Sequence, residues 1–362
     1  MLSTQSMAYP VCGALVLVLM LLAPTPVAAQ FRFETTGSYA DLDTTFTEED
    51  RYSGSIRWFL LPVDEDKGPL AEAAFLTRSS SLRYRFKDAE NSAEFPNPSF
   101  DRPLPGSPDP MELVFQIIVN RETRTSTHMI DTRYVVADTS WIVGSSFSIG
   151  DGVVDTNGLP SDLDNWSGAL ILGRYVLTNT TMSLRVDYGE SEMTTNFAFE
   201  QSSVFAEIDQ VGEFSSEVEV ETIDISAIGE HVGTVGGYSY RLAANASYLS
   251  FEGNVETQSI VTDATTGEFI ADLSDTGSRR SLGTVDGWRA GLSGVWYFND
   301  RIGLNAHYQI TDLENQQSNS YGIGLSWFAT KYLEVRGNYN ETDVDGPVND
   351  LRQWGVAVRG RF

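Results

Sequence analysis

The C-terminal third of the chain is written in a two-residue period. In YGIGLSWF (321–328), Tyr321, Ile323, Leu325 and Trp327 alternate with Gly322, Gly324 and Ser326. In YLEVRGNYN (332–340), Leu333, Val335, Gly337 and Tyr339 alternate with Glu334, Arg336, Asn338 and Asn340. IGLNAHYQI (302–310), WRAGLSGVW (288–296), YSYRLAANASY (238–248) and the closing QWGVAVRGRF (353–362) repeat the pattern. Successive side chains of a strand point to opposite faces, so each run has one apolar, aromatic face and one polar face. Strands of soluble sandwiches and propellers also alternate, but their apolar face packs a core. Here that face ends repeatedly in Trp or Tyr, whose amphipathic rings suit the boundary between hydrocarbon and headgroups. Trp58, Trp141, Trp166, Trp288, Trp296, Trp327 and Trp354 all fall at or near expected strand ends.

The connections alternate in length. FND (298–300), ATK (329–331) and LTNT (177–180) read as tight turns, whereas 43–49, 88–110, 150–165, 251–283 and 343–350 are longer and polar. Short turns at one end and long loops at the other predict an all-β, transmembrane up-and-down antiparallel β-barrel of about 14 strands, with 12 or 16 as neighbouring even counts. Further strands are expected at 31–42, 50–60, 70–87, 125–137, 141–149, 167–177 and 181–189, with a bulge absorbing a phase slip at Ser79–Ser81. MELVFQIIV (111–119) reads as a loop hairpin or a wall strand. Glu217, Glu219 and Glu221 share a face with Ile223 and Ile225 and are expected above the membrane, because lipid-facing carboxylates at the midplane are costly.

The polar face carries arginines, among them Arg32, Arg51 and Arg174. The residues expected to line a pore are Arg57, Arg83, Arg85, Arg133, Arg185, Arg241, Arg289, Arg336, Arg359, Glu334 and Asp187, with Glu34 and Asp131 as further partners. Charge cannot form a dry core unless it is paired or hydrated, so this face predicts a water-filled lumen. The bland alternative is a plugged barrel whose arginines only bridge to wall carboxylates. Its mark would be large apolar residues inside, for which Val135, Leu170 and Leu172 are the candidates. A basic wall opposite acidic loops such as 41–50 would set a field across a constriction. Wall arginines favour anionic solutes and the overall acidity favours cations, which leaves the direction open.

Residues 1–29 read as a signal peptide, with the apolar run ALVLVLMLLAP (14–24) and cleavage after Ala29; residues 30–362 are the barrel domain. The one cysteine, Cys12, lies in that leader. No later run is long and apolar enough for a membrane helix. The net charge of −26 excludes a nucleic-acid-binding face. The histidines His128, His231 and His307 have no motif spacing for hydrolysis, so no enzyme is expected, a barrel hydrolase with His307 inside being the minor alternative. DTNGLPSDLDN (155–165) and DVDGPVND (343–350) read as solvated acidic loops; the first lacks EF-hand spacing. No cofactor or metal is implied.

With the leader, the alternating strands and Phe362 closing VAVRGRF, the chain resembles Gram-negative outer-membrane β-barrels. Those proteins commonly end in an aromatic residue that the barrel assembly machinery recognises, which implies an assembly role for Phe362. PVDEDKGPLAEAAFLTRSSSL (62–82) further resembles a segment of a porin family of proteobacteria. The resemblance implies passive diffusion of small hydrophilic solutes or ions, export through the periplasm to the cell outer membrane, and lipid and lipopolysaccharide as surroundings. No PEFG-like motif of trimeric general porins is found, and the oligomeric state stays open. The other reading is a structural or surface-binding barrel closed by its loops.

Overall fold

The computed structural model describes residues 30–44, 47–64, 68–96, 118–156, 158–202, 209–263, 269–272, 280–314, 316–345 and 351–362. The expected leader, 1–29, and most of 111–119 lie outside them. Fifteen strands follow in order: β1 Gln30–Asp43, β2 Thr47–Asp64, β3 Ser81–Pro96, β4 Ile118–Val135, β5 Trp141–Thr156, β6 Leu159–Leu177, β7 Thr180–Ser202, β8 Asp209–Val235, β9 Tyr238–Asp263, β10 Phe269–Asp272, β11 Arg280–Asn299, β12 Ile302–Leu313, β13 Gln316–Thr330, β14 Leu333–Val344 and β15 Leu351–Arg361. All pairings are antiparallel. β15 pairs with β1 from Glu34↔Arg361 to Asp43↔Arg352 and closes the cylinder. The four-residue β10 pairs only with β9, so the closed ring has 14 strands.

Closure leaves the ring itself without an edge, which is the condition for strands to cross a bilayer. The outer surface meets the other condition. All seven tryptophans are 37–50% exposed, together with Ile56, Leu82, Ile130, Phe147, Leu184, Leu292, Leu304, Ile323 and Leu325. Trp58, Trp141, Trp296 and Trp327 sit toward the short-turn end; Trp166, Trp288 and Trp354 sit toward the other. Eight residues separate Trp288 from Trp296 on β11. At about 3.3 Å per residue and a strand tilt near 40°, that spacing is roughly 20 Å of membrane depth, close to the apolar band of such barrels. At the long-loop end, outward tyrosines donate to carboxylates: Tyr39 to Asp50 (2.6 Å), Tyr188 to Glu221 (3.1 Å), Tyr248 to Asp286 (2.8 Å) and Tyr339 to Glu341 (3.3 Å). Those pairs mark where the apolar surface stops. Glu217, Glu219 and Glu221 stand at and beyond that level on β8, a strand of 27 residues when about 10 suffice to cross.

Several expectations change. The span 70–87 is not one strand: Leu70–Glu72 is a 3₁₀ turn, Ala73–Leu76 is a helix (α1), and β3 begins only at Ser81. The phase slip is this helix–strand junction, not a bulge. Most of 43–49, 88–96, 150–165 and 251–263 is strand, because β-ladders continue above the membrane where both faces meet water. Leu170 and Leu172 face outward, at 73% and 54% exposure, one parity away from the inner face. Arg174 also faces outward, its guanidinium 5.6 Å from the Trp141 ring and its Nε on Ser140. Arg32 is exposed at the register shift between Phe31 and Phe33.

Candidate functional site: a charged lumen with one occluded mouth

The β2–β3 connection is the one short-turn-end link that does not make a tight turn. Its sequence, GPLAEAAFLTR (68–78), holds strong helix formers and only one β-branched residue, unlike the strands around it. The helix ends in a Schellman arrangement: Ser79 N–H donates to Ala74 O (3.1 Å) and Arg78 N–H to Phe75 O (3.0 Å). Arg78 occupies the left-handed position (φ 56°) that glycine usually fills. Its guanidinium lies 4.5 Å from the Tyr175 ring centroid, a contact that offsets the backbone strain.

Residues 68–80 turn into the barrel mouth and are held from all sides. Ala73 is buried with Phe31 of β1 and Phe59 and Val63 of β2. Phe75 packs with Ile142, Tyr175 and Val232, and Leu76 and Val135 border the same cluster. Tyr175 Oη donates to Phe75 O (3.1 Å), Tyr297 Oη donates to Glu72, and Arg241 pairs with Glu72 at 3.8 Å. Arg361 Nη1 donates to Leu70 O (2.6 Å) and its Nε to Glu34 Oε2 (3.3 Å). The guanidinium sits 4.9 Å from both the Phe31 and Phe328 rings and is 2% exposed. This segment is a plug across the short-turn mouth.

Above the plug, the eleven residues expected to line a pore all project inward, and most are in ion pairs. Arg83 and Arg85 share Asp131 (3.0 and 2.8 Å), which also accepts from Ser146 Oγ (3.0 Å). Arg185 pairs with Asp187, Arg241 with Glu230, and Arg289 with Asp224 (2.6 Å). Glu334 is fully buried between Arg336 and Arg359 (3.2 Å to the latter). Glu34 is shared by Arg57 and Arg359 (3.7 Å each) and Arg361. Arg133 has no carboxylate among the described residues; its Nη2 donates to Tyr175 Oη (2.7 Å).

The pairs are not evenly distributed. From the plug up to mid-barrel, among the described residues, β14, β15 and β1–β4 carry seven inward guanidiniums, at 57, 83, 85, 133, 336, 359 and 361, against three carboxylates, Glu34, Asp131 and Glu334. On β7–β9 and β11, Arg185, Arg241 and Arg289 are matched by Asp187, Asp224 and Glu230. A cavity of about 580 Å³ lies along this balanced wall, lined by Arg185, Asp187, Asp224 and Arg289 and by Ser167, Ser226, Ser247 and Asn245. Among the described residues, one stretch of wall therefore carries excess positive charge and the other is balanced.

The barrel has counterparts among solved structures. A deletion mutant of the monoaromatic hydrocarbon channel TodX superposes with a TM-score of 0.52 at 9% identity, covering 94% of this chain and 93% of that one. The monoaromatic hydrocarbon channel CymD gives 0.50 at 10% identity over 95% and 92%. The toluene transporter TbuX of Ralstonia pickettii gives 0.50 at 11% identity over 95% and 93%. What is shared is the fold. No family model matches the chain, and no curated protein matches its sequence.

The alternating pattern did not single out Arg361, Tyr175, Tyr297, Glu72 and Phe75, which fix the plug. One signal for them was present: the Ala- and Leu-rich run after Gly68–Pro69, which argues for a helix between two strands. Two histidines, His128 and His231, lie with outward tyrosines, Tyr84 and Tyr240, while His307 faces the lumen beside Gly322.

Proposed function

We propose that this protein is an outer-membrane channel for small hydrophilic solutes, held shut in this conformation by residues 68–80. The observation that carries the reading is the lumen itself, a charged and hydroxylated interior inside a closed ring with an apolar exterior, blocked at one mouth by a segment that is not part of the wall. A barrel meant only to be solid would gain stability from apolar filling, since buried ion pairs rarely beat well-packed hydrophobes. Export through the periplasm, insertion by the barrel assembly machinery at the signal of Phe362, and contact with lipid and lipopolysaccharide belong to the same reading. The protein is a conduit and not an enzyme on this account.

A second reading has an observation in its favour. The plug touches strands around the ring, as expected of a barrel permanently closed and used as a surface-binding protein. Planar-bilayer recording separates the two. The wild-type protein should give rare or small openings. A variant in which 65–80 is replaced by a short Gly/Ser turn should give stepwise, long-lived conductance. If both fold and neither conducts, the channel reading fails and the closed barrel stands.

A further inference from the structure

The excess positive charge in the lumen is concentrated on three adjacent strands. Arg57 on β2 lies directly opposite Arg83 on β3, and like charges placed so oppose each other. Arg83 is opposite Asp131 on β4, and Arg133 is the next inward residue along that strand. Arg83, Arg133 and Arg359 all act electrostatically on Arg57. With strands about 4.8 Å apart and a two-residue offset along the strand, Arg57 and Arg133 start roughly 12 Å from each other, within reach of two long side chains converging on one small solute.

The available carboxylates engage this group only in part: Arg83 gives its Nε to Asp131, and Arg57 has one long contact with Glu34. Asp131 is taken by Arg83 and Arg85. Glu34 is divided among three arginines, and its contact with Arg57 is a long one of 3.7 Å. The Nε atoms of Arg57 and Arg359 are buried and have no hydrogen-bond partner among the described residues. Arg133 spends its donor on a tyrosine hydroxyl. The plug forms the floor beneath, since that same hydroxyl donates to Phe75 O. An array of under-used guanidiniums over a floor is a cradle for an acceptor with several oxygens, because the planar fork matches carboxylate and phosphate geometry.

We propose that the β2–β4 wall is a binding site for a small solute bearing a carboxylate or phosphate group, held by Arg57, Arg83 and Arg133. The site deepens the channel reading by naming the solute class, and its test does not depend on conduction. Wild-type protein folded in detergent is titrated calorimetrically at low salt with inorganic phosphate, with succinate and with glucose. Binding of both anions, and not of glucose, is expected. Binding of only one assigns the oxyanion to phosphate or to carboxylate. Absence of binding by either, from protein with the heat-modifiable migration of a folded barrel, overturns the site. The double variant Arg57→Gln/Arg133→Gln should lose at least about 10-fold in affinity, while Arg301→Gln, in the β11–β12 turn, should bind as wild type. Unchanged affinity in the double variant also overturns it.

A measurement on the unmutated protein guards against a folding defect in the variants. Phosphate should slow phenylglyoxal modification of Arg57 and Arg133, read by mass spectrometry, and leave Arg301 unaffected. Equal rates with and without phosphate reject the proposal. Binding without conductance would keep the site and reject the channel, and conductance without binding would do the reverse.

Discussion

At the scale of single residues, the decisive group is Arg361. Its parity on the last strand reads as inward from the sequence, but its burial does not. That burial depends on Phe31, Phe328, Glu34 and the Leu70 carbonyl, residues up to 330 positions away that meet only once the barrel closes on its plug. Arg361→Met would keep apolar contact with the two rings and remove the donor to Leu70 O. The plug should then leave its seat more often. Ala73 is fully buried in the plug, and Cys12 is the one cysteine of the sequence, so Ala73→Cys in a Cys12→Ser background is a clean reporter. Thiol labelling of Ala73→Cys should be about 10-fold or more faster with Arg361→Met than without it, the size of losing one charge-assisted hydrogen bond. Phe362 poses a separate question. Its carbonyl accepts from the N–H groups of Arg32 (2.7 Å) and Phe33 (2.9 Å), and its own N–H donates to Phe33 O (2.9 Å). The terminal residue thus fastens the closing seam as well as carrying an aromatic ring. Deleting it should lower the folded, membrane-inserted fraction on heat-modifiability gels, while the barrels that do insert keep wild-type conductance.

At the scale of elements, the sequence was most legible where one face of a strand met lipid and the other met the lumen. The strands from β11 to β15 follow from alternation, and the tight turns expected at 298–300 and 329–331 fall one or two residues later, at 300–301 and 331–332. Alternation fades where a strand rises out of the membrane. There both faces are wet, nothing selects an apolar residue every second position, and 150–165 reads as a loop although its backbone remains paired in β5 and β6. The plug was obscured for a different reason. Of the 16 residues between the two strands, only Leu70–Leu76 is helical, too short a run for a helical period to declare itself, and Glu72 and Arg78 fit a strand parity by accident. Seating of the plug rests on Phe75, whose ring packs 5.8 Å from Tyr175 within an apolar cluster. Phe75→Ala should weaken docking by about 3 kcal/mol, the usual cost of emptying a buried aromatic site. None of the ring's backbone hydrogen bonds involves that side chain. Open probability in bilayers should therefore rise by roughly two orders of magnitude, with little change in the unfolding midpoint of the barrel. An equal fall in barrel stability would mean that α1 is a structural strut and not a gate.

At the scale of the whole molecule, two statements about charge point in opposite directions. The chain carries −26 overall, yet its mid-barrel lumen carries more guanidiniums than carboxylates. The acids are displaced outward and upward, as in Asp50, Glu221, Asp286 and Glu341, each capped by a tyrosine at the edge of the apolar belt. Ionic screening decides which set governs permeation. At 0.1 M salt the Debye length is about 10 Å, so charges on the outer surface and at the far rim act weakly on an ion at mid-lumen. Wall charges within a few ångströms of the path act strongly, and focus further because the surroundings are low in dielectric. The plug-deleted barrel should therefore prefer anions despite its acidic composition. In a tenfold potassium chloride gradient its reversal potential should take the sign for chloride. Arg336→Glu reverses one charge on the cationic wall while leaving Glu334 the company of Arg359, and should move that potential toward potassium. A cation preference in the plug-deleted parent, unchanged by Arg336→Glu, would place control of selectivity at the acidic rim and take it away from the arginine wall.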